Sequence, residues 1–364
     1  MNPILEGAHT QRAIVPLSLE LESQPEIKIH KFDEVYSAVD QLNQLNIPSP
    51  PEIRTLADLE FEDADVVNAP GIGRLRMTDW AQRRIGSMMG VKWSKFFGPM
   101  EPDAIKTAIT SHLNGVGDKG QGIKLVSREL MESESYKTDG ILRGVVSPSY
   151  SEFRDVHALD RLYEVAGSIL EVEWGFTEVH LLDSGSYFNL IHTYPFPLIP
   201  GSGDTAYVGL QLRNSEVGAH SWEGIARVLR LVCVNGMMVP LFSGKVFRFI
   251  HKGMQLERID QSIEEALDQC YQSMEQLPPM YGKLLDRPID EPEEHLRSFL
   301  ESHNVSLTVR DAVVDAYATE EIEGDNAYRA LQAITRMSPA LRDDPQRQRD
   351  IEILAGQYTE HMLQ

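Results

Sequence analysis

The 364-residue chain is 42% apolar, enough for one large or two ordinary domains around a hydrophobic core, which excludes disorder throughout. Its net charge of −21 argues against a uniformly basic nucleic-acid binder, but the charge is uneven: residues 1–70 hold 4 basic and 13 acidic groups, 71–260 hold 21 and 21, and 261–364 hold 9 and 21. Two cysteines, Cys233 and Cys270, are too few for a disulfide framework; with no leader pattern and no run of about 18 apolar residues, the expected setting is cytoplasmic, with no membrane.

Residues 1–70, with prolines at 48, 50, 51 and 70, read as an acidic N-terminal arm, partly extended. Residues 71–122 read as a helical unit. In "MTDWAQRRIGSMMGV" Thr78 is the expected N-cap, with Trp80, Ile85, Met88 and Met89 on one side of a helix, and "EPDAIKTAITSHL" predicts a second helix. "GVGDKG" (115–120) matches G-x-G-x-x-G literally, but it follows a helix and precedes a strand, so it reads as a connection, not a dinucleotide loop.

From residue 123 the period is that of strands: "IKLVSREL" and "GILRGVVS", an amphipathic helix in "EFRDVHALDRLYEVAGSIL", then "TEVHLLD", "YFNLIHTYPF", "TAYVGLQLRN", "VLRLVCVN" and "KVFRFIHK". Residues 123–280 are therefore expected to be an α+β core with a largely antiparallel sheet of about six strands and packed helices. Leu256, Ile259, Ile263, Leu267, Cys270, Met274 and Leu277 form one helical stripe. A linker, "LPPMYGKLLDRPIDEPEE", leads into an acidic helical region over 281–364.

No metal site and no catalytic set can be assembled from spacing, and no cofactor is called for; His157, His180, His192, His220 and His251 lack paired ligand spacing. "KVFRFIHK" interleaves charge and aromatic groups: Lys245, Phe247, Phe249 and His251 alternate onto one side, Arg248 onto the other, and Lys252 closes the run. Aromatic rings beside cations suit single strands, because bases stack on rings while phosphates meet the charges; an ordinary strand with core phenylalanines has the same letters. Arg213, Arg227, Arg230, Lys245 and Arg248 fall on neighbouring segments of a meander, where same-face residues lie side by side. Whether they share a face depends on register. Asn214 and Asn235 read as turn-formers at strand ends.

Several stretches, in order, resemble the phage/plasmid-like family known as domain of unknown function 932. They are "MTDWAQRRIGSMMGVKWSKFF", "ILRGVVSPSYSEFRDVHALDRL", "LRNSEVGAHSWEG" and "RLVCVNGMM". The matching positions are Arg143, Val145, Ser147 and Tyr150, then Asn214, Ser215 and Gly218, then Arg230 to Cys233, Asn235 and Gly236; "VKWSKFF" departs from an Ile-Pro and a tyrosine in many members. The resemblance, over roughly residues 74–280, implies a phage, prophage or plasmid origin, a host-cytoplasm setting and an association with DNA replication or recombination. Single-strand annealing recombinases share the architecture of a bent sheet with a packed helix; they hold single-stranded DNA in a basic groove, often as homo-oligomers.

The leading expectation is thus a non-enzymatic DNA-associated protein that binds or anneals single-stranded DNA. Its candidate contacts are Arg143, Arg213, Arg227, Arg230, Lys245, Phe247, Arg248, Phe249, His251 and Lys252. The alternatives are an acidic interaction protein that occupies a phage or host protein through its termini, including as a DNA mimic, and an enzyme whose site converges from distant strands.

Overall fold

The computed structural model describes residues 15–17, 29–115, 122–131, 134–199, 204–230, 235–238, 247–253, 255–338, 341 and 344–364. The G-x-G-x-x-G connection, Lys245 and Cys233 lie outside them, apart from the first glycine. The described residues are α+β, with ten helices and two mostly antiparallel sheets where the sequence predicts one.

The first strand, β1 (Val15–Leu17), joins the second of these sheets. Within the region expected to be an arm, the chain folds into α1 (Phe32–Gln44), β2 (Asn46–Ile47), β3 (Glu60–Phe61) and β4 (Val66–Ala69). Helix α1 forms because Phe32, Val35, Val39 and Leu42 recur at helical spacing, and Asp33 and Glu34 complement the dipole of its first turn. Next come β5 (Gly73–Met77), α2 (Asp79–Met89), α3 (Trp93–Phe96), α4 (Pro102–Gly115), β6 (Lys124–Glu129) and β7 (Gly140–Val146). These strands build a six-stranded sheet, β2-β6-β7-β5-β4-β3, antiparallel except where β5 lies beside β7. The expected boundary near residue 122 is therefore displaced: α2 to α4 share one apolar cluster with β6 and β7, through Ile85, Trp93, Ile109, Leu125 and Leu142.

After α5 (Asp155–Glu173), the chain forms β8 (Trp174–Leu181), β9 (Ser186–His192), β10 (Phe196–Pro197), β11 (Thr205–Asn214), β12 (Trp222–Arg230), β13 (Asn235–Met238) and β14 (Phe247–Phe249). Together with β1 they make an eight-stranded antiparallel sheet. Its main order is β1-β8-β9-β11-β12-β13, with β10 beside β11 and β14 beside β12. Strand β12 begins six residues before the predicted 228, at Trp222. Its alternation is hidden because both faces are covered: every residue but Ala226 is buried.

Helix α6 (Leu256–Leu285) lays the predicted stripe against the sheet from Ile259 onward, leaving Leu256 exposed, and the Cys270 thiol donates to the Gly209 carbonyl at 3.2 Å. The helix continues through Pro278 and Pro279, where a linker is expected, because Leu277, Met280, Tyr281 and Leu284 stay buried and hold the last two turns in place. Helices α7 (Pro292–Ser302), α8 (Leu307–Thr319), α9 (Ala327–Thr335) and α10 (Pro345–Leu363) complete the chain. Their buried side chains join the same core as the central sheet, so the acidic C-terminal region is a packed part of the fold. No helix among the described residues is long and apolar enough to cross a membrane.

Candidate functional site

Strand register divides the predicted basic face between two opposite faces. Arg213 pairs across β11–β12 with Glu223, and Glu223 pairs in turn with Arg248; Gly209 faces Arg227. These positions share one face with Asn189 and Gln211. Arg230 faces Ala206 on the other side, with the apolar core. Phe247 and Phe249 flank Trp222 on that core side and pack against the cluster there.

Burial and pairing separate these side chains further from the predicted groove. Arg143 is buried against Glu216, and Arg213 is paired with Glu223. Arg227 donates to both carboxylate oxygens of Glu352 at 2.9 and 2.6 Å, and Arg230 donates to Asp204 at 2.9 Å. His251 is buried and stacked on Tyr150, with ring centroids 5.0 Å apart; burial pushes its pKa down to about 4, leaving a neutral ring. Of the ten predicted contacts, Arg248 and Lys252 are the exposed cations among the described residues. The other arginines are neutralised by carboxylates, that of Arg227 lying 125 positions away, which spacing along the chain does not reveal.

Helix α10 seals the polar face of the central sheet. Arg349 donates to Gln211 at 2.5 Å and to Glu223 at 2.8 Å, and Gln346 accepts from Arg213 at 2.7 Å. Gln348 approaches Glu178 at 3.4 Å, and Ser338 donates to Glu352 at 2.6 Å. Three arginines and three glutamates (Arg213, Arg227, Arg349, Glu178, Glu223 and Glu352) thus meet in a layer sheltered from water. A buried charge is tolerable only when it is paired, and here each of the six has an opposite charge within 4.0 Å.

Arg143, Tyr150, Asn214 and Ser215 converge in a second buried network, between the two sheets, whereas Arg230 pairs with Asp204 and Asn235 lies on β13. Arg143 on β7 donates to Glu216 at 2.5 Å, and the Tyr150 hydroxyl donates to the Ser215 carbonyl at 2.7 Å. Asn214, the last residue of β11, donates to Asp155 at 2.8 Å and to the Phe153 carbonyl at 2.9 Å; the Ser186 hydroxyl donates to the other Asp155 oxygen. The Ser215 hydroxyl accepts from the Ala219 amide at 2.9 Å. Gly218 is the residue of this loop with a left-handed backbone, at φ 74°, so the turn depends on Gly218, and Asn214 anchors rather than turns. Asn235 pairs with Arg230 as a residue of β13, so it is also within a strand. Asn214→Ala leaves Asp155 short of a donor and is expected to lower stability by roughly 1–3 kcal/mol, read from the denaturant midpoint.

Burial and the neighbouring Glu216 push the Asp155 pKa up to about 7, while the Arg143 guanidinium holds Glu216 below its usual range. The space bounded by these groups is about 20 Å³, no more than one water. The network therefore holds the halves of the molecule in place; it is not a substrate cavity.

A roomier cleft of about 430 Å³ opens where α2 and α3 approach the β8–β9 turn, the Ala219–His220 segment and the start of α10. Thr78 caps α2 as predicted, accepting from the Ala81 amide at 3.2 Å. Sequence pattern grouped Trp80 with Ile85 and Met89, but a step of five residues carries it well round the helix. Trp80 instead lies with the exposed Arg83, Arg84 and Ser87, at i, i+3, i+4 and i+7. The Trp80 indole N–H donates to the Val217 carbonyl and that of Trp93 to the Ala64 carbonyl, each at 3.0 Å, which fixes both rings. At the cleft floor the buried Tyr187 hydroxyl donates to Gln346 at 2.9 Å and lies 3.2 Å from the His220 ring nitrogen.

Between Trp80 and Met100 the sequence holds four basic residues, Arg83, Arg84, Lys92 and Lys95, and no acidic one. All four are exposed and make no ion pair among the described residues; Arg83 packs over the Trp80 ring at 5.8 Å, and Phe96 beside them is 44% exposed. This cluster was open to sequence reading as a local excess of positive charge in an acidic protein. No family model, curated protein or solved structure matches this chain.

Proposed function

We propose that this is a DNA-associated protein with a binding rather than a catalytic role, and that single-stranded DNA lies along the α2–α3 surface. The observation that carries the reading is the four unpaired cations beside half-exposed Trp80 and exposed Phe96, next to an aromatic-lined cleft. Phosphates gain most from cations that no carboxylate already neutralises, and unpaired bases gain from rings that duplex DNA cannot reach. The resemblance to a phage/plasmid-like family supports a setting in replication or recombination of a mobile element.

The test is a titration of a fluorescent single strand at several salt concentrations. Binding is expected to weaken steeply as salt rises, and Arg84→Glu with Lys95→Glu is expected to flatten the salt dependence by about two phosphate contacts. Both side chains are exposed, so the variant should keep the native melting temperature. Absence of binding at low salt, or binding indifferent to salt, would overturn the reading.

A further inference from the structure

We propose that the cleft between α2–α3 and the start of α10 takes one nucleobase of the bound strand, stacked against Trp80 and met along its hydrogen-bonding edge by Tyr187, His220 and Gln346. This inference rests on the single-strand reading above and assigns the cleft a base-binding role distinct from phosphate contact. Its volume of about 430 Å³ lies in the range of about 300–1,000 Å³ typical of small-ligand sites.

Two of the protein's four tryptophans line this cleft. Their N–H groups are already bonded to backbone carbonyls; Trp93 is buried and backs the wall, so the partly exposed Trp80 ring offers a ligand apolar surface in a fixed position, with little ordering cost on stacking. At the other side the uncharged polar groups are those of Tyr187, His220 and Gln346, and the Asp344 carboxylate beside them is paired with Arg347 at 3.2 Å. The Tyr187 hydroxyl, the His220 ring and the Gln346 amide form a connected row, with Gln346 held in turn by Arg213 at 2.7 Å and Asp350 at 2.8 Å. Burial and the positive charges of Arg213 and Arg349 drive the His220 pKa down to about 3, so the ring is neutral at physiological pH and keeps both a donor and an acceptor nitrogen. A neutral donor–acceptor row suits the edge of a base and suits a phosphate poorly.

The cations are distributed to match. Arg83 lines the cleft over Trp80, while Arg84, Lys92 and Lys95 adjoin lining residues in the chain and stand exposed. A strand whose phosphates follow these side chains brings its bases past the cleft. The walls come from both halves of the molecule and from α10, so the subsite exists only while α10 is docked on the sheet.

The experiment compares a mixed-sequence DNA strand with a strand of equal length whose residues are abasic, titrated against the unmodified full-length protein. The abasic strand is expected to bind at least about fivefold more weakly with a similar salt dependence, since it keeps its phosphates and loses stacking. Tyr187→Phe, which removes one hydroxyl, is expected to weaken the base-bearing strand and leave the abasic strand unchanged. Equal affinity for the two strands would overturn the base subsite while the single-strand reading stands. Failure of both strands to bind at low salt would overturn both.

Discussion

Replacing Glu352 with alanine is expected to cost about 3–5 kcal/mol, a large part of the stability of an ordinary domain. Glu352 is fully buried and accepts from two nitrogens of Arg227, from the Ser338 hydroxyl and, at 3.4 Å, from Gln348. Its loss strands the Arg227 guanidinium in a site that water does not reach, with Glu178 4.0 Å away as its remaining partner. The control is the double replacement Arg227→Met with Glu352→Leu, which removes both charges and fills the volume. It is expected to be far less costly than the single change, because a buried ion pair contributes little over a packed apolar pair. Chemical denaturation of the wild type and both variants decides the matter. If Glu352→Ala unfolds at the wild-type denaturant concentration, α10 does not seal the sheet in solution.

That ion pair also explains why an arginine-rich meander was legible and its purpose was not. Arg213, Arg227 and Arg230 do lie on adjacent strands, as alternation predicts. What neutralises Arg227 is Glu352, 125 positions along the chain, and no local pattern carries such a pairing. Local signals fared better: β11 spans the predicted Thr205–Asn214, Thr78 caps α2, and the stripe from Ile259 to Leu277 is the buried side of α6. Where both faces of an element are covered, alternation vanishes, so the start of β12 at Trp222 escaped notice. Helix α1 was readable from Phe32, Val35, Val39 and Leu42, but the prolines that follow it drew the segment toward an extended reading.

The cleft had a different kind of legibility. Its cations are a local excess in the sequence, whereas its floor is assembled by tertiary contact: Tyr187 comes from β9, His220 from the loop before β12 and Gln346 from α10. Aromatic and charged letters in "KVFRFIHK" resembled a nucleic-acid surface more closely. Their phenylalanines pack beside Trp222, and the histidine is stacked and buried. Composition within a strand specifies neither which face is wet nor whether a cation is already paired.

Asp155 is expected to make stability fall as pH rises from about 4 to about 7, and Asp155→Asn is expected to remove that dependence. The folded pKa is raised from 3.8 to about 7, chiefly by burial and then by Glu216, so in this window the native state keeps a proton that the unfolded chain has released. A native state that binds more protons loses stability as pH rises, at up to about 1.4 kcal/mol per pH unit for one group. The contribution is fully present below the ordinary value and gone above the raised one. Glu216 acts with the opposite sign: its pKa is lowered by Arg143, so its contribution is held at neutral pH and lost as pH falls through the depressed value. The charged groups facing Asp155 are Glu216 and Arg143, with Arg154 acting on Glu216 and Asp183 on Arg143. Asparagine copies the protonated carboxyl: its oxygen can accept from Asn214 and its amide can donate to Ser186, whose hydroxyl turns to accept. Denaturant midpoints across this pH range should therefore converge near pH 4 and separate toward pH 7, with the variant the more stable. Parallel profiles for the two proteins would mean that Asp155 is ionised in the fold at all these pH values, and that Arg143 and the hydrogen bonds from Ser186 and Asn214 outweigh its burial.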